Sequence, residues 1–249
     1  MINSSIRFTV AAGFAASIAA LPSLAQSLTG NVGSAGVSKG EQSVEGRLGF
    51  DEDGNAASRI HYDNAFTDWY QLRLIGAFSK ADGEDWDVSG LTLENWVQWS
   101  EEASDNSRFN GGLRFAYTFA QDDGPDEVGL RLTVTDKFAG DWEWRSNVKA
   151  DTEAGDGSEG GVDLEVRGQI SRALEVSALG THDWRLGVEV FSELGNSRDI
   201  PGFNEQAHQI GPVVKVGWDN GVFIQSAVRV GITDGADDSM AKLFVGREF

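Results

Sequence analysis

The chain has 249 residues, with 39 acidic and 20 basic side chains, 31 glycines and no cysteine, and its formal net charge is −19. This length suits a single domain, and the strong negative charge argues against a protein that neutralises nucleic-acid phosphates. Without cysteine the chain has neither a disulfide framework nor a thiolate metal site.

The first 25 residues have the composition of an export signal. Arg7 supplies the positive charge near the start, residues 8–21 form an apolar stretch, and the small residues Ser23 and Ala25 end it. This pattern predicts a secretory signal peptide over 1–25 and export through the Sec route. Residues 26–40 are rich in glycine and serine and show no periodicity. They are predicted to form a flexible leader or, in a barrel, a plug of the lumen.

From residue 41 onwards, apolar and polar side chains alternate with the period of two that is typical of β-strands. Leu130 and Leu132 share one face of such a segment, for example, and Arg131 lies on the other. A further strand at 174–181 would give an odd number, whereas bacterial single-chain barrels have an even number. The twelve predicted strands span 41–50, 57–66, 69–79, 88–100, 107–119, 127–136, 141–150, 161–174, 182–193, 207–218, 221–232 and 240–249.

The connections between these strands fall into two alternating classes. Five are mostly short turns, and six are longer loops with 20 acids and two bases, Lys80 and Arg198. Outer-membrane barrels show this asymmetry, with short turns on the periplasmic side. We name the two sides the short-turn end and the long-loop end. The acidic loops are expected to be mainly solvated, with Ca²⁺ or Mg²⁺ binding as the alternative. The candidate ligands are Asp51, Asp53, Asp122, Asp123, Asp126, Asp237 and Asp238.

Aromatic side chains collect on the apolar face at the short-turn ends of the strands. Indole rings prefer the interface between bilayer and water, so this placement predicts a membrane girdle. The alternative architecture, a secreted β-sandwich, gives no reason to put tryptophans at one end of so many strands. The predicted girdle consists of Tyr70, Trp99, Trp142, Trp184, Trp218 and Phe249.

The last residues, LFVGREF at 243–249, form a final strand that ends in an aromatic residue. Together with the export signal and the strand pattern, this ending resembles Gram-negative outer-membrane β-barrel proteins. The resemblance covers nearly the whole chain and indicates the class without a specific family. It implies an all-β, closed antiparallel barrel over 41–249 in the outer membrane. It also implies contact with lipid and lipopolysaccharide, and recognition of the last strand by the barrel-assembly machinery.

In such a barrel the polar face of each strand lines the lumen. The favoured hypothesis is a narrow channel in which these charges let a small polar or ionic solute pass. The alternative is a closed structural barrel whose charges pair with one another and whose acidic loops contact divalent cations or lipopolysaccharide. The predicted lining residues are Arg47, Arg59, His61, Asp63, Arg73, Glu94, Arg114, Arg131, Glu143, Arg145, Glu165, Arg167, Arg185, Glu189 and Arg229.

An enzyme is the weakest of the hypotheses. His61 shares the lumen face with Asp63, which suggests a lipid hydrolase as a third option. The sequence has no GxSxG, no HExxH and no phosphate-binding loop. No catalytic residue and no cofactor is therefore predicted.

Overall fold

The computed structural model describes residues 21–99, 110–121, 124–138 and 141–249. Within these ranges, twelve antiparallel strands form one sheet, and pairing of the first strand with the last closes it. The predicted twelve-stranded all-β barrel is therefore confirmed. In chain order the strands are β1 (Gln42–Asp51), β2 (Ala56–Ala65), β3 (Tyr70–Lys80), β4 (Asp87–Gln98), β5 (Asn110–Ala120), β6 (Asp126–Phe138), β7 (Trp142–Ala154), β8 (Asp163–Leu174), β9 (Asp183–Asn196), β10 (Ala207–Gly217), β11 (Val222–Gly231) and β12 (Ser239–Glu248).

The strand boundaries differ from the predicted ones in a few places. The hairpin of β6 and β7 extends to a pairing of Asp126 with Ala154, beyond the predicted end at residue 150. The segment after β8 contains an isolated bridge between Ala178 and Thr181. A short 3₁₀ helix, Phe203–Glu205, lies in the loop before β10. The first three residues of the predicted strand 107–119 lie outside the described residues.

Side chains alternate between the two faces of the barrel wall. In β6, Leu130 and Leu132 point outwards and are 41% and 40% exposed, whereas Thr133 points inwards and is completely buried. Exposed apolar side chains recur around the outside, as expected for a wall that faces hydrocarbon. In the described part of the chain, no helix has the length and apolar character needed to cross a bilayer.

Residues 26–37 of the leader lie inside the barrel, and residues 38–40 are exposed at the short-turn end. The first three residues of the leader belong to helix α1 (Leu21–Leu28), which packs against strands β1 to β4 and β12. Leu28 contacts Met240 in a buried cluster at the long-loop end, and Val37 belongs to a second cluster with Trp96 at the short-turn end. The leader thus runs the length of the lumen before it joins β1. Helix α1 spans the predicted cleavage point after Ala25, and residues 1–20 lie outside the described residues.

Candidate functional site

The candidate site is the charged lumen. All fifteen predicted lining residues lie on the inward face of their strands, and they divide into a buried and a half-buried set. The half-buried ones are Arg59, Arg73, Arg131, Arg145 and Arg185. The buried ones are Arg47, His61, Asp63, Glu94, Arg114, Glu143, Glu165, Arg167, Glu189 and Arg229.

Most of the inward charges are held in ion pairs. Arg73 contacts Asp63 at 2.5 Å and Glu94 at 3.4 Å, and Glu94 also contacts Arg114 at 3.3 Å. Buried pairs of this kind contribute little net stability, but they fix the orientation of the side chains. The other pairs are Arg47–Glu45, Arg145–Glu143, Lys149–Asp151, Arg167–Glu165, Arg229–Glu189 and Lys242–Glu189.

A few inward cations have no such partner. Among the described residues, no carboxylate lies within 4.0 Å of Arg59, Arg131, Arg185 or Lys215. The Nε atoms of Arg59 and Arg131 are also buried without a hydrogen-bond partner. The lumen therefore offers positive charge that its own wall does not neutralise locally.

His61 is 1% exposed and lies 4.0 Å from Glu45. Neither of its ring nitrogens has a hydrogen-bond partner in the described part of the chain. The contacts expected of a catalytic base, with an orienting carboxylate on one side and a hydroxyl nucleophile on the other, are not formed here.

Among the described residues, five cationic side chains donate hydrogen bonds to backbone carbonyls of the leader. They come from five different strands, and each also has a carboxylate partner in the wall. The bonds run from Arg229 to Ser27 (2.9 Å), from Arg47 to Thr29 (3.3 Å), from Lys242 to Gly30 (2.8 Å), from Arg167 to Asn31 (3.2 Å) and from Arg114 to Ser34 (3.3 Å).

The leader fits this line of cations through two of its glycines. A Cβ on Gly30 would lie 2.9 Å from Nη1 of Arg167, and one on Gly33 would lie 2.9 Å from Nη2 of Arg114. Both guanidinium groups approach the leader backbone because these side chains are missing. Asn147 adds a pair of bonds, since it accepts from the Gly33 nitrogen at 2.7 Å and donates to the Gly33 oxygen at 3.0 Å.

Aromatic rings support several of these cations from inside the barrel. Arg229 stacks over Phe191 with Cζ 3.6 Å from the ring centroid, and Arg114 stacks over Trp96 at 3.7 Å. Cζ of Arg47 lies 4.7 Å from the centroid of the Phe244 ring. The sequence analysis did not select the two phenylalanines as lining residues. Their spacing of two from inward charged residues was the available signal.

The long-loop end of the lumen is acidic, a feature that the sequence analysis also missed. Cross-strand partners of like charge occur at Glu127–Glu153, Asp151–Asp163 and Glu165–Glu193. Beyond them, a cavity of about 300 Å³ is lined by carboxylates of residues 153, 159, 163 and 199 and by Arg198. The acidic mouth thus precedes a middle section with more cations.

The predicted loop ligands show no metal-site geometry in the described residues. No cluster of three or more potential ligands is present in that part of the chain. Asp126 instead accepts hydrogen bonds from the Tyr117 hydroxyl and the Ala120 nitrogen. Asp122 and Asp123 lie outside the described residues.

The predicted girdle aromatics lie at the short-turn end on the outward face. Tyr70, Trp142 and Trp184 lie at strand starts, and Trp99, Trp218 and Phe249 directly follow strand ends. Trp184 and Trp218 donate their indole N–H groups to the carbonyls of Ala178 and Leu179, which belong to one turn. Satisfying the N–H in this way leaves the ring free to face apolar surroundings.

The fold has counterparts among solved structures. It is similar to an outer-membrane channel of Pseudomonas putida F1, with a TM-score of 0.62 and 11% identity over 88% of this chain and 97% of that chain. The KdgM porin has a TM-score of 0.58 and 12% identity over 83% of this chain and 99% of that chain. The NanC porin has a TM-score of 0.54 and 10% identity over 84% of this chain and 98% of that chain. The sequence matches no protein-family model and no curated protein. At these identities the likeness establishes the fold.

Proposed function

Because the chain has the fold of the outer-membrane β-barrel channels, we propose that it gives passage to an anionic solute through its charged lumen. The observation that supports this most directly is the line of five cations that donate inwards along the axis of the lumen. Their donor groups point at the path itself, where a solute would bring its oxygens. Each of the five cations pairs with a wall carboxylate and still directs a further donor at the path, so this donor is available to a solute.

The size of the barrel and the unneutralised cations also support a channel. Twelve strands fall between the filled eight-stranded barrels and the open sixteen-stranded porins. Arg59 and Arg131 add positive charge that no described carboxylate neutralises at close range. Fixed charges of this kind select ions by sign while holding them weakly enough for release. One similar structure is a complex of the KdgM porin with disordered oligogalacturonate, an acidic saccharide.

Conductance of the purified protein in planar bilayers tests the proposal. A variant without residues 27–38 keeps the strand ladder, since in the described part of the chain the backbone bonds that continue the ladder into the leader are those of Gly40 and Glu41 to Ala65, outside the deleted residues. We expect this variant to conduct and to favour anions in a salt gradient. Silence of the variant, with a β-sheet circular dichroism spectrum like that of the full chain, would instead support the closed structural barrel.

The charge on Arg59 and Arg131 gives the second arm of the test. Arg59→Gln and Arg131→Gln break no ion pair, so the double variant should have lower anion selectivity without unfolding of the barrel. Arg247→Gln, on the outward face of β12, is the matched control and should change nothing. Unchanged selectivity in the double variant, or a preference for cations in the variant without the leader, contradicts the proposed path.

We also propose that the barrel resides in the outer membrane, with its short-turn end towards the periplasm. The exposed apolar outer wall and the aromatic residues at one end favour this placement. Lipid, lipopolysaccharide and the barrel-assembly machinery are the expected partners. Membrane fractionation with and without Phe249 tests the role of the last strand, because loss of the aromatic ending should lower the amount of inserted protein.

A further inference from the structure

We propose that residues 27–34 of the leader occupy the line of five cations to which the solute binds. The solute is an extended chain of oxygen-bearing anionic groups, and it displaces these residues. This inference rests on the proposed function. It goes further by naming the class of solute that the line of cations binds and the reason why the leader occupies that line. Three steps lead to it: the spacing of the donors, the state of the cations without the leader, and the competition between acceptors.

The first step is the spacing of the donors. The leader carbonyls that accept from cations belong to residues 27, 29, 30, 31 and 34. Ser27 and Leu28 are the last residues of helix α1, and residues 30–34 have no regular secondary structure. From Thr29 to Ser34 the chain reaches at most about 20 Å, so the donors serve a ligand that is extended along the axis. The leader approaches them as nearly bare backbone at Gly30 and Gly33. A compact ion would fill only one of these positions.

The second step is the state of the cations without the leader. Arg47, Arg114 and Arg167 each have a carboxylate partner in the wall, and Arg229 and Lys242 share Glu189. These ion pairs and the aromatic rings beneath them hold the cations in place independently of the leader. Removal of the leader therefore leaves an ordered row of donors, as a binding site requires.

The third step is the competition itself. The leader offers neutral carbonyls, whereas carboxylate or sulfate oxygens form charge-assisted hydrogen bonds that are about twice as strong. The leader contributes no strand to the closed sheet, so its departure exposes no sheet edge. Apolar contacts of Leu28 and Val37 hold its two ends. An anionic chain with several groups can replace the middle of the leader and lift both ends with it.

A single cysteine can report this displacement because the chain contains no other. In the full chain in liposomes, Ser34→Cys places a thiol on the half-buried residue whose carbonyl accepts from Arg114. Ser38→Cys places a thiol on the exposed part of the leader outside the lumen. We expect a thiol reagent to label Ser38→Cys at all times and Ser34→Cys slowly. Oligogalacturonate should raise the rate at Ser34→Cys by about tenfold, the equivalent of one charge-assisted bond.

Two probes test the chemical class. An uncharged oligosaccharide of equal length and inorganic phosphate should leave the rate at Ser34→Cys unchanged. An equal rise with phosphate overturns the extended ligand, and an equal rise with the uncharged saccharide overturns the anionic one. If labelling stays slow with every probe while the variant without residues 27–38 conducts, the solute passes beside the leader and this inference fails alone. If that variant is also silent, the proposed function fails.

Discussion

Replacing Gly33 by alanine tests the fit between the leader and the barrel where it is tightest. A Cβ there would lie 2.9 Å from Nη2 and 3.3 Å from Cζ of Arg114. The guanidinium has little freedom to retreat, because it stacks at 3.7 Å over Trp96 and contacts Glu94 at 3.3 Å. We therefore expect it to lose its hydrogen bond to the carbonyl of Ser34.

The magnitude follows from the bond that is lost. A hydrogen bond to a charged group contributes about 1.5–3 kcal/mol, and each 1.4 kcal/mol is about tenfold in an equilibrium constant. The ratio of seated to displaced leader should fall roughly 10- to 150-fold. Single-channel recording of the full chain measures this ratio as the fraction of time in the conducting state. Gly168→Ala is the control, since a Cβ there meets nothing within 4 Å.

A double-mutant comparison decides whether Arg114 is the cause. In an Arg114→Gln background the clashing group is already absent, so adding Gly33→Ala should change the conducting fraction by less than about twofold. An equal effect of Gly33→Ala in both backgrounds would refute the reasoning, as would no effect in the otherwise unchanged chain.

Two further substitutions and one mass measurement have expected outcomes. Leu28→Ala empties a fully buried site at the long-loop end, so it should weaken seating of the leader by about 2–5 kcal/mol and speed labelling at Ser34→Cys; an unchanged rate contradicts this. Burial, followed by the charges of residues 51–53, raises the pKa of Asp237, so its ionisation destabilises the folded protein as pH rises through that raised value. Asp237→Asn should therefore raise the melting temperature at pH 7 and leave it unchanged at pH 3, as followed by circular dichroism, and equal shifts at both pH values would exclude this cause. Mass spectrometry of protein from outer membranes should find Gln26 as the first residue, and a mass that retains residues 1–25 would rule out the predicted cleavage.

The strand pattern was predictable because a barrel wall imposes a simple rule on the sequence. Leu130 must face outwards and Arg131 inwards, and a period of two records that requirement directly. The extension of β7 to Ala154 was not predictable in this way. Beyond Ala150, residues 151–153 are polar on both faces, since they extend the hairpin into the long-loop end, where no apolar surrounding requires alternation.

The alternation of side chains along each strand predicted the residues that line the lumen only where those side chains are charged. Phe191 and Phe244 carry no charge and were not among the predicted lining residues, although in the fold they support Arg229 and Arg47 from inside. The course of the leader was beyond the reach of periodicity. Several of its bonds depend on residues more than 100 positions away, such as the contact of Gly33 with Asn147, and no local pattern encodes them.

The direction in which the leader joins the barrel has a consequence for assembly. Its C-terminal end continues directly into β1 at the short-turn end, while its N-terminal end reaches the long-loop end. Because β1 also closes the ring with β12, the ring must either close around a leader already inside it or be threaded by the free N-terminus afterwards. A bulky group fused before residue 26 would obstruct threading of a closed ring but would not prevent closure of the ring around the leader. Such a fusion would therefore distinguish the two routes of assembly.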